Sequence, residues 1–137
     1  MNKPEFLFRE LIRIRYFEYS ALYAFSKGHI SGTTHTCIGQ EAIAVAISRS
    51  LKKGDYTISN HRCHGHYIAK TGKRLALINE MLGNNQGING GYGGSQHIFD
   101  PEYKFYSNGV QGAFFATSYG ISYSLKLDGS NDICLIY

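Results

Sequence analysis

No stretch of the 137 residues approaches the run of roughly 18 apolar side chains that a membrane helix needs. The N-terminus, Met1-Asn2-Lys3-Pro4-Glu5, lacks the basic-then-apolar layout of a signal peptide. Together these absences set the expectation of a cytoplasmic protein with no membrane partner. A concentrated run of Lys or Arg is missing too. The 14 basic residues stand against 10 acidic ones, a net +4 spread along the chain, whereas nucleic-acid binding shows a basic stripe. Nucleic acid is therefore excluded as a partner. Cysteine is sparse: Cys37, Cys63 and Cys134 form no C-x-x-C pair, and an odd, widely spaced set reads as reduced thiols rather than a disulfide framework. What remains, 43% hydrophobic and 18% charged residues, is the composition of an ordinary globular protein.

Glycine is not scarce. There are 16, and they crowd between Gly83 and Gly94, which marks a loop with a purpose or a linker. Ahead of that loop, Leu7, Leu11, Ile14, Phe17, Ala21, Leu22 and Phe25 recur at three- and four-residue steps, which predicts a long amphipathic helix from Glu5 to Lys27. Pro4 suits its first turn and Gly28 its termination. A second helix is expected from about Gln40 to Leu51, with Ala42, Ile43, Ala46, Ile47 and Leu51 on one face. Tyr56-Thr57-Ile58-Ser59 is rich in β-formers and reads as a strand, followed by a helix through about Lys70 and another from Lys73 to Leu82. Beyond the glycines, Gly112 to Leu127 is compatible with a buried helix, and Asp132 to Tyr137 with a fully buried strand. Such a strand needs a neighbour on each side and a following crossover helix, so the chain is expected to end in mid-fold.

Three segments carry residues suited to chemistry. His35 stands in a loop just before a helix N-terminus, where free N–H groups favour an anion; a ring there serves equally as a local cap, so alone it decides nothing. Asn60-His61-Arg62-Cys63-His64-Gly65-His66 follows a strand end, which is where open α/β sheets bind ligands, and Arg62 brings a fork of five donors suited to a diphosphate. His61, His64 and His66 also allow a metal reading, but they lack the second-cluster spacing of known zinc signatures, and anion binding by Arg62 ranks above it. Gly90-Gly91-Tyr92-Gly93-Gly94-Ser95-Gln96-His97 matches neither a P-loop nor a dinucleotide fingerprint. Asn108-Gly109-Val110-Gln111-Gly112 permits close backbone approach to a flat ligand.

Taken in order, His35 within H-x-x-I-G-Q-E-A, Gly54-Asp55-Tyr56, the Asn60–His66 block, Gly93-Gly94-Ser95-Gln96-His97 and Gly109-Val110-Gln111-Gly112 resemble one family. It is the alpha subunit of thiamine diphosphate-dependent 2-oxo acid dehydrogenases, which includes pyruvate, acetoin and branched-chain members. The resemblance covers nearly the whole chain. It implies an α/β, three-layer thiamine diphosphate-binding fold with a mostly parallel sheet, preceded by the long amphipathic helix. Residues 1–137 would be the N-terminal part of its single, diphosphate-side domain, ending before a Gly-Asp-Gly motif. It further implies that His61 and Arg62 contact the cofactor diphosphate and that His35 lies near the diphosphate and the substrate carboxylate. Backbone at Gly109 and Gln111 would contact the aminopyrimidine. Pyruvate-type members usually carry Tyr in place of His61 and Val in place of Gln111, so the chain resembles the acetoin-type or a less characterised branch more closely.

The same resemblance implies thiamine diphosphate and Mg²⁺ as cofactors, with the metal ligands beyond Tyr137, hard oxygen donors of the kind Mg²⁺ prefers. It implies a beta subunit that supplies the catalytic Glu in an alpha2beta2 heterotetramer, a dihydrolipoyl acyltransferase core that takes the acyl group on lipoamide, and a 2-oxo acid or acetoin as substrate. The competing expectation is a catalytically inactive fragment or interaction module that keeps only the subunit interface.

Overall fold

The computed structural model describes residues 3–137; Met1 and Asn2, which open the stretch that lacks a signal-peptide layout, lie outside the described residues. Helix α1 runs Lys3–Ser26. Gly28 takes φ +73°, and the His29 N–H donates to the Ala24 carbonyl at 3.0 Å, the six-to-one bond of a Schellman end. Ile14 and Ala21 are fully buried, with Leu7, Leu11 and Phe17 packed against the core, as the spacing predicts. Leu22 and Phe25 are not; both remain more than a third exposed, and Glu18 takes a buried place on the same face. Helix α2 is Glu41–Ser48, shorter than expected.

The rotation of α2 also departs from expectation. Its buried residues are Glu41, Ala44 and Val45, while Ala42, Ile43 and Ala46 face outward. The sequence EAIAVAIS is apolar on both sides, so hydrophobicity does not choose a face. The choice is made by an ion pair: Arg15 of α1 grips the Glu41 carboxylate through Nε and through Nη2, the latter at 2.9 Å, and turns that side inward.

Strand β1 (Tyr56–Ser59) leads into α3 (His64–Thr71), then α4 (Arg74–Met81), the glycine loop, β2 (Phe99–Asp100), a 3-10 turn, β3 (Phe105–Ser107), α5 (Ala113–Leu127) and β4 (Cys134–Ile136). The sheet has order β2-β3-β1-β4, with β1 parallel to both β3 and β4, and β2 antiparallel to β3. Strand alternation sorts the two faces. Thr57 and Ser59 face α3, where they meet Lys70 Nζ at 2.8 Å and His66 Nδ1 at 2.7 Å. Ile58 and Tyr106 face α5, with Phe114 and Thr117 around the same cavity. The result is an α/β arrangement of three layers: α5, an open and mostly parallel sheet, and α3 with α1 and α2 behind it.

Two elements that the sequence predicts to be buried are only partly so. In α5 only Phe114 and Ser118 are buried, because one side meets β1 and β4 and nothing among the described residues covers the other. Phe115, Tyr119, Tyr123 and Leu127 are each more than half exposed. Strand β4 is half-buried, since it pairs with β1 along one edge and no strand borders its other edge among the described residues.

Candidate functional site

In this sheet the segment after β1 turns into α3 on one face, and the segment after β3 turns into α5 on the other. Neighbouring parallel strands whose connections leave toward opposite faces open a crevice at their carboxyl ends, the place where open α/β sheets bind ligands. Asn60-His61-Arg62 forms one wall of that crevice and Asn108-Gly109-Val110-Gln111 the other. They are joined at the base by the Asn108 N–H, which donates to the Ser59 carbonyl at 3.2 Å. A cavity of about 230 Å³ continues from the second wall between β3 and α5, lined by Ile58, His97, Ser107, Asn108 and Phe114.

Every expected site residue arrives here. His35 and His61 meet edge to face, ring centroids 4.7 Å apart at 84°. The Gln111 side-chain amide donates to His61 Nδ1, which leaves the ring proton on Nε2. Burial, with help from the nearby His35 and Arg62, holds the His61 pKa below the usual histidine range, so the ring favours its neutral form. Arg62 spends one N–H on the Thr36 carbonyl, at 2.6 Å, and thereby ties the loop that carries His35 to the end of β1. Its own N–H donates to Asn60 Oδ1 at 2.9 Å, a local turn that fixes where the guanidinium starts. At Gly109 an added Cβ would lie 2.5 Å from Gln96 Oε1, so a larger residue there would have to displace the Gln96 side chain.

The donor set is one-sided: a guanidinium with N–H groups to spare, two imidazoles and a side-chain amide, with no carboxylate among the described residues hydrogen-bonded to any of them. Such a set suits an anion, and glycine backbone beside it suits a flat ring. The residues whose role was not foreseen are the supports. Gln96 donates through Nε2 to the Thr33 hydroxyl, and Asn60 and Asn108 hold the two turns. An Asn one residue past each strand end was a visible signal for such turns.

The other histidines separate. His64 is fully buried against Glu18 and Ser95, and His66 stacks on Tyr137 at 3.5 Å and bonds Ser59, so the three rings do not share a ligand face. Among the described residues no three His, Cys, Asp or Glu side chains gather as a metal would require. The glycine loop turns inward: Glu80, fully buried, accepts from the N–H groups of Asn89 at 2.6 Å, Gly91 at 3.0 Å and Gly93 at 2.6 Å. A Cβ at Gly87 would lie 2.5 Å from Glu80 Oε2, which accounts for glycine there.

A family profile described as "Dehydrogenase E1 component" matches residues 9–137. Curated relatives include the pyruvate dehydrogenase E1 component subunit alpha of Rickettsia prowazekii, 35% identical over 98% of this chain and 42% of that protein. The subunits of that name from Rhizobium meliloti and Zymomonas mobilis are 35% and 36% identical, over 95% and 87% of this chain and 38% and 34% of theirs. The chain thus spans about two fifths or less of the length of these relatives. With the match extending over nearly every residue that builds the crevice and its supports, the chain belongs to the dehydrogenase E1 component family.

Proposed function

We propose that the crevice holds the diphosphate of thiamine diphosphate, and that the chain forms part of the decarboxylating component of a 2-oxo acid dehydrogenase complex. The observation that carries this reading is the convergence of His35, His61, Arg62, Gly109 and Gln111 at the carboxyl ends of β1 and β3. The donor chemistry fits the group: the planar guanidinium of Arg62 offers paired N–H groups to phosphate oxygens. A neutral His61 adds a further donor, and Gly109 lets the second wall lie flat against a ring. When bound, the cofactor supplies the electron sink for loss of carbon dioxide. In this reading the His35 ring, beside His61, donates an N–H to the carboxylate of a pyruvate-like substrate. With His61 and Gln111 in these walls, acetoin is the further substrate in this reading. The acyl group passes to lipoamide on a dihydrolipoyl acyltransferase core, with a beta subunit completing an alpha2beta2 heterotetramer in the cytoplasm and Mg²⁺ as the second cofactor.

The alternative of an inactive interaction module draws on the exposed side of α5 but leaves the clustered donors without a purpose. The test uses an alpha chain of the relatives' length that carries this sequence, assembled with its beta subunit. Titration calorimetry with thiamine diphosphate and Mg²⁺ is expected to give saturable binding, and Arg62→Ala to weaken it by about 1.5–3 kcal/mol through loss of a charge-assisted bond. His61→Ala should weaken it less. Affinity unchanged in the Arg62 variant removes the diphosphate role, and absence of binding leaves the interaction module standing.

A further inference from the structure

Glu18 is a carboxylate with no exposed surface, in the middle of an otherwise apolar helix face. Its two oxygens serve two different segments. Oε1 accepts from the Cys37 N–H at 2.8 Å, and Oε2 pairs with His64 Nδ1 at 2.9 Å. His64 is equally buried, and its Nε2 reaches the Ser95 carbonyl at 3.1 Å and the Ser95 hydroxyl at 3.0 Å. Two chain segments therefore meet the buried carboxylate directly, and a third, at Ser95, reaches it through His64. Cys37 lies two residues after His35, His64 lies two residues after Arg62, and Ser95 precedes Gln96, which reaches back to Thr33. The segments that deliver His35 and Arg62 to the crevice are each anchored within two residues of that side chain, while the Asn108–Gln111 wall lies outside this network.

A buried ionisable pair is a poor way to gain stability, because apolar residues of similar volume generally serve as well or better. The arrangement is nonetheless satisfied in full. Burial alone pushes the Glu18 carboxyl up, yet the bonds from His64 and Cys37 outweigh it and hold the group below the usual carboxylate range. The charged form is thus the one this surrounding selects. Removing it would release the loop of residues 33–39 at Cys37, and with it the Thr36 carbonyl that Arg62 grips.

We propose that Glu18 is a positioning residue for the crevice: its buried carboxylate holds the His35 loop and the start of α3 in the register that sets His35 and Arg62 against a bound diphosphate. This rests on the reading of the crevice as the thiamine diphosphate site. Glu18 itself touches no ligand. It acts as the support behind a preorganised set of donors, a role in which loss typically costs on the order of tenfold or more in affinity.

The experiment compares Glu18→Gln with Leu77→Ala, a fully buried core residue of α4 that takes no part in the crevice, in the assembled alpha and beta subunits. Calorimetry with thiamine diphosphate and Mg²⁺ is run beside a thermal melt. Glu18→Gln keeps shape and removes charge. Its cofactor dissociation constant is expected to rise about tenfold, while Leu77→Ala lowers the melting temperature at least as far and leaves cofactor affinity within about twofold, as the loss of a remote packing contact should. Equal losses of affinity in the two variants, or none in Glu18→Gln, would overturn the proposal. If Glu18→Gln fails to fold, Glu18→Asp is read by the same criteria, since it keeps the charge but is one methylene too short to reach both partners. Arg62→Ala separates the two levels of argument: no loss in that variant removes the site reading, whereas a loss there with none at Glu18 removes this proposal alone.

Discussion

Histidines in this chain show how one residue type takes opposite tasks according to its surroundings. His35 sits half-buried against His61, and on the proposed reading of the crevice its effect would fall on the substrate more than on the cofactor. His35→Ala is expected to lower kcat/KM for the 2-oxo acid by at least about tenfold, in the range typical of a positioned acid or base, with cofactor affinity changed less. Steady-state kinetics at saturating thiamine diphosphate, alongside calorimetry, tests this; a variant defective only in cofactor binding would move His35 into the diphosphate shell. His66 has no such opening. Burial, with a contribution from the neighbouring His64, pushes its pKa down to about 4 from 6.5, so the folded state binds it neutral. The unfolded chain then holds more protons between those values, and stability rises with pH across that window and is lost as pH falls from about 6.5 toward 4. His66→Asn should flatten the acid limb of a denaturation midpoint measured against pH; an unaltered limb would assign the acid sensitivity elsewhere.

At the scale of elements, the glycine loop is the clearest case of a purpose hidden from sequence. Six glycines with no phosphate-loop order give no hint that three backbone N–H groups converge on a single carboxylate 9 to 13 residues earlier in the chain. Glu80→Ala leaves those part-buried donors without a protein partner, and with water able to replace part of each bond the assembled protein should lose on the order of 1–3 kcal/mol. Denaturant titration measures the loss, and limited proteolysis should then cut within 83–94; wild-type stability would mean that water replaces the carboxylate without cost. Other elements were legible because one physical signal dominated. The period of α1, its Gly28 stop and the β-formers of β1 each point one way, and the family resemblance named His35, His61, Arg62, Gly109 and Gln111, which the fold brings to one crevice. Where signals compete, sequence fails. EAIAVAIS is apolar all round and needed Arg15 to choose its face, and Phe115, Tyr119 and Tyr123 look like core residues because apolarity alone does not say which side of a helix meets the sheet. Glu18 and Glu80, ordinary acidic residues by sequence, proved to be the buried anchors because partners from distant segments satisfy them.

For the molecule as a whole, the exposed stripe of Phe115, Tyr119, Tyr123 and Leu127, at four-residue steps along α5, exceeds the scattered apolar exposure that ordinary surfaces tolerate. The isolated 137-residue chain is expected to self-associate and to melt over a broad range, and sedimentation velocity with a thermal scan checks both; a monomer with a sharp, cooperative melt would contradict this. The opposite departures of the chain after β1 and after β3 have a consequence for how that melt responds to ligand. One wall of the crevice is continuous with the α3 layer and the other with the α5 layer, so an occupant touching both acts as a rivet through the seam between layers. A ligand at a hundred times its dissociation constant adds about 2.7 kcal/mol to whatever it binds. Here that increment falls on the joint, coupling α3 and α5 into one cooperative unit, whereas a ligand lodged in a single loop would leave the layers free to part.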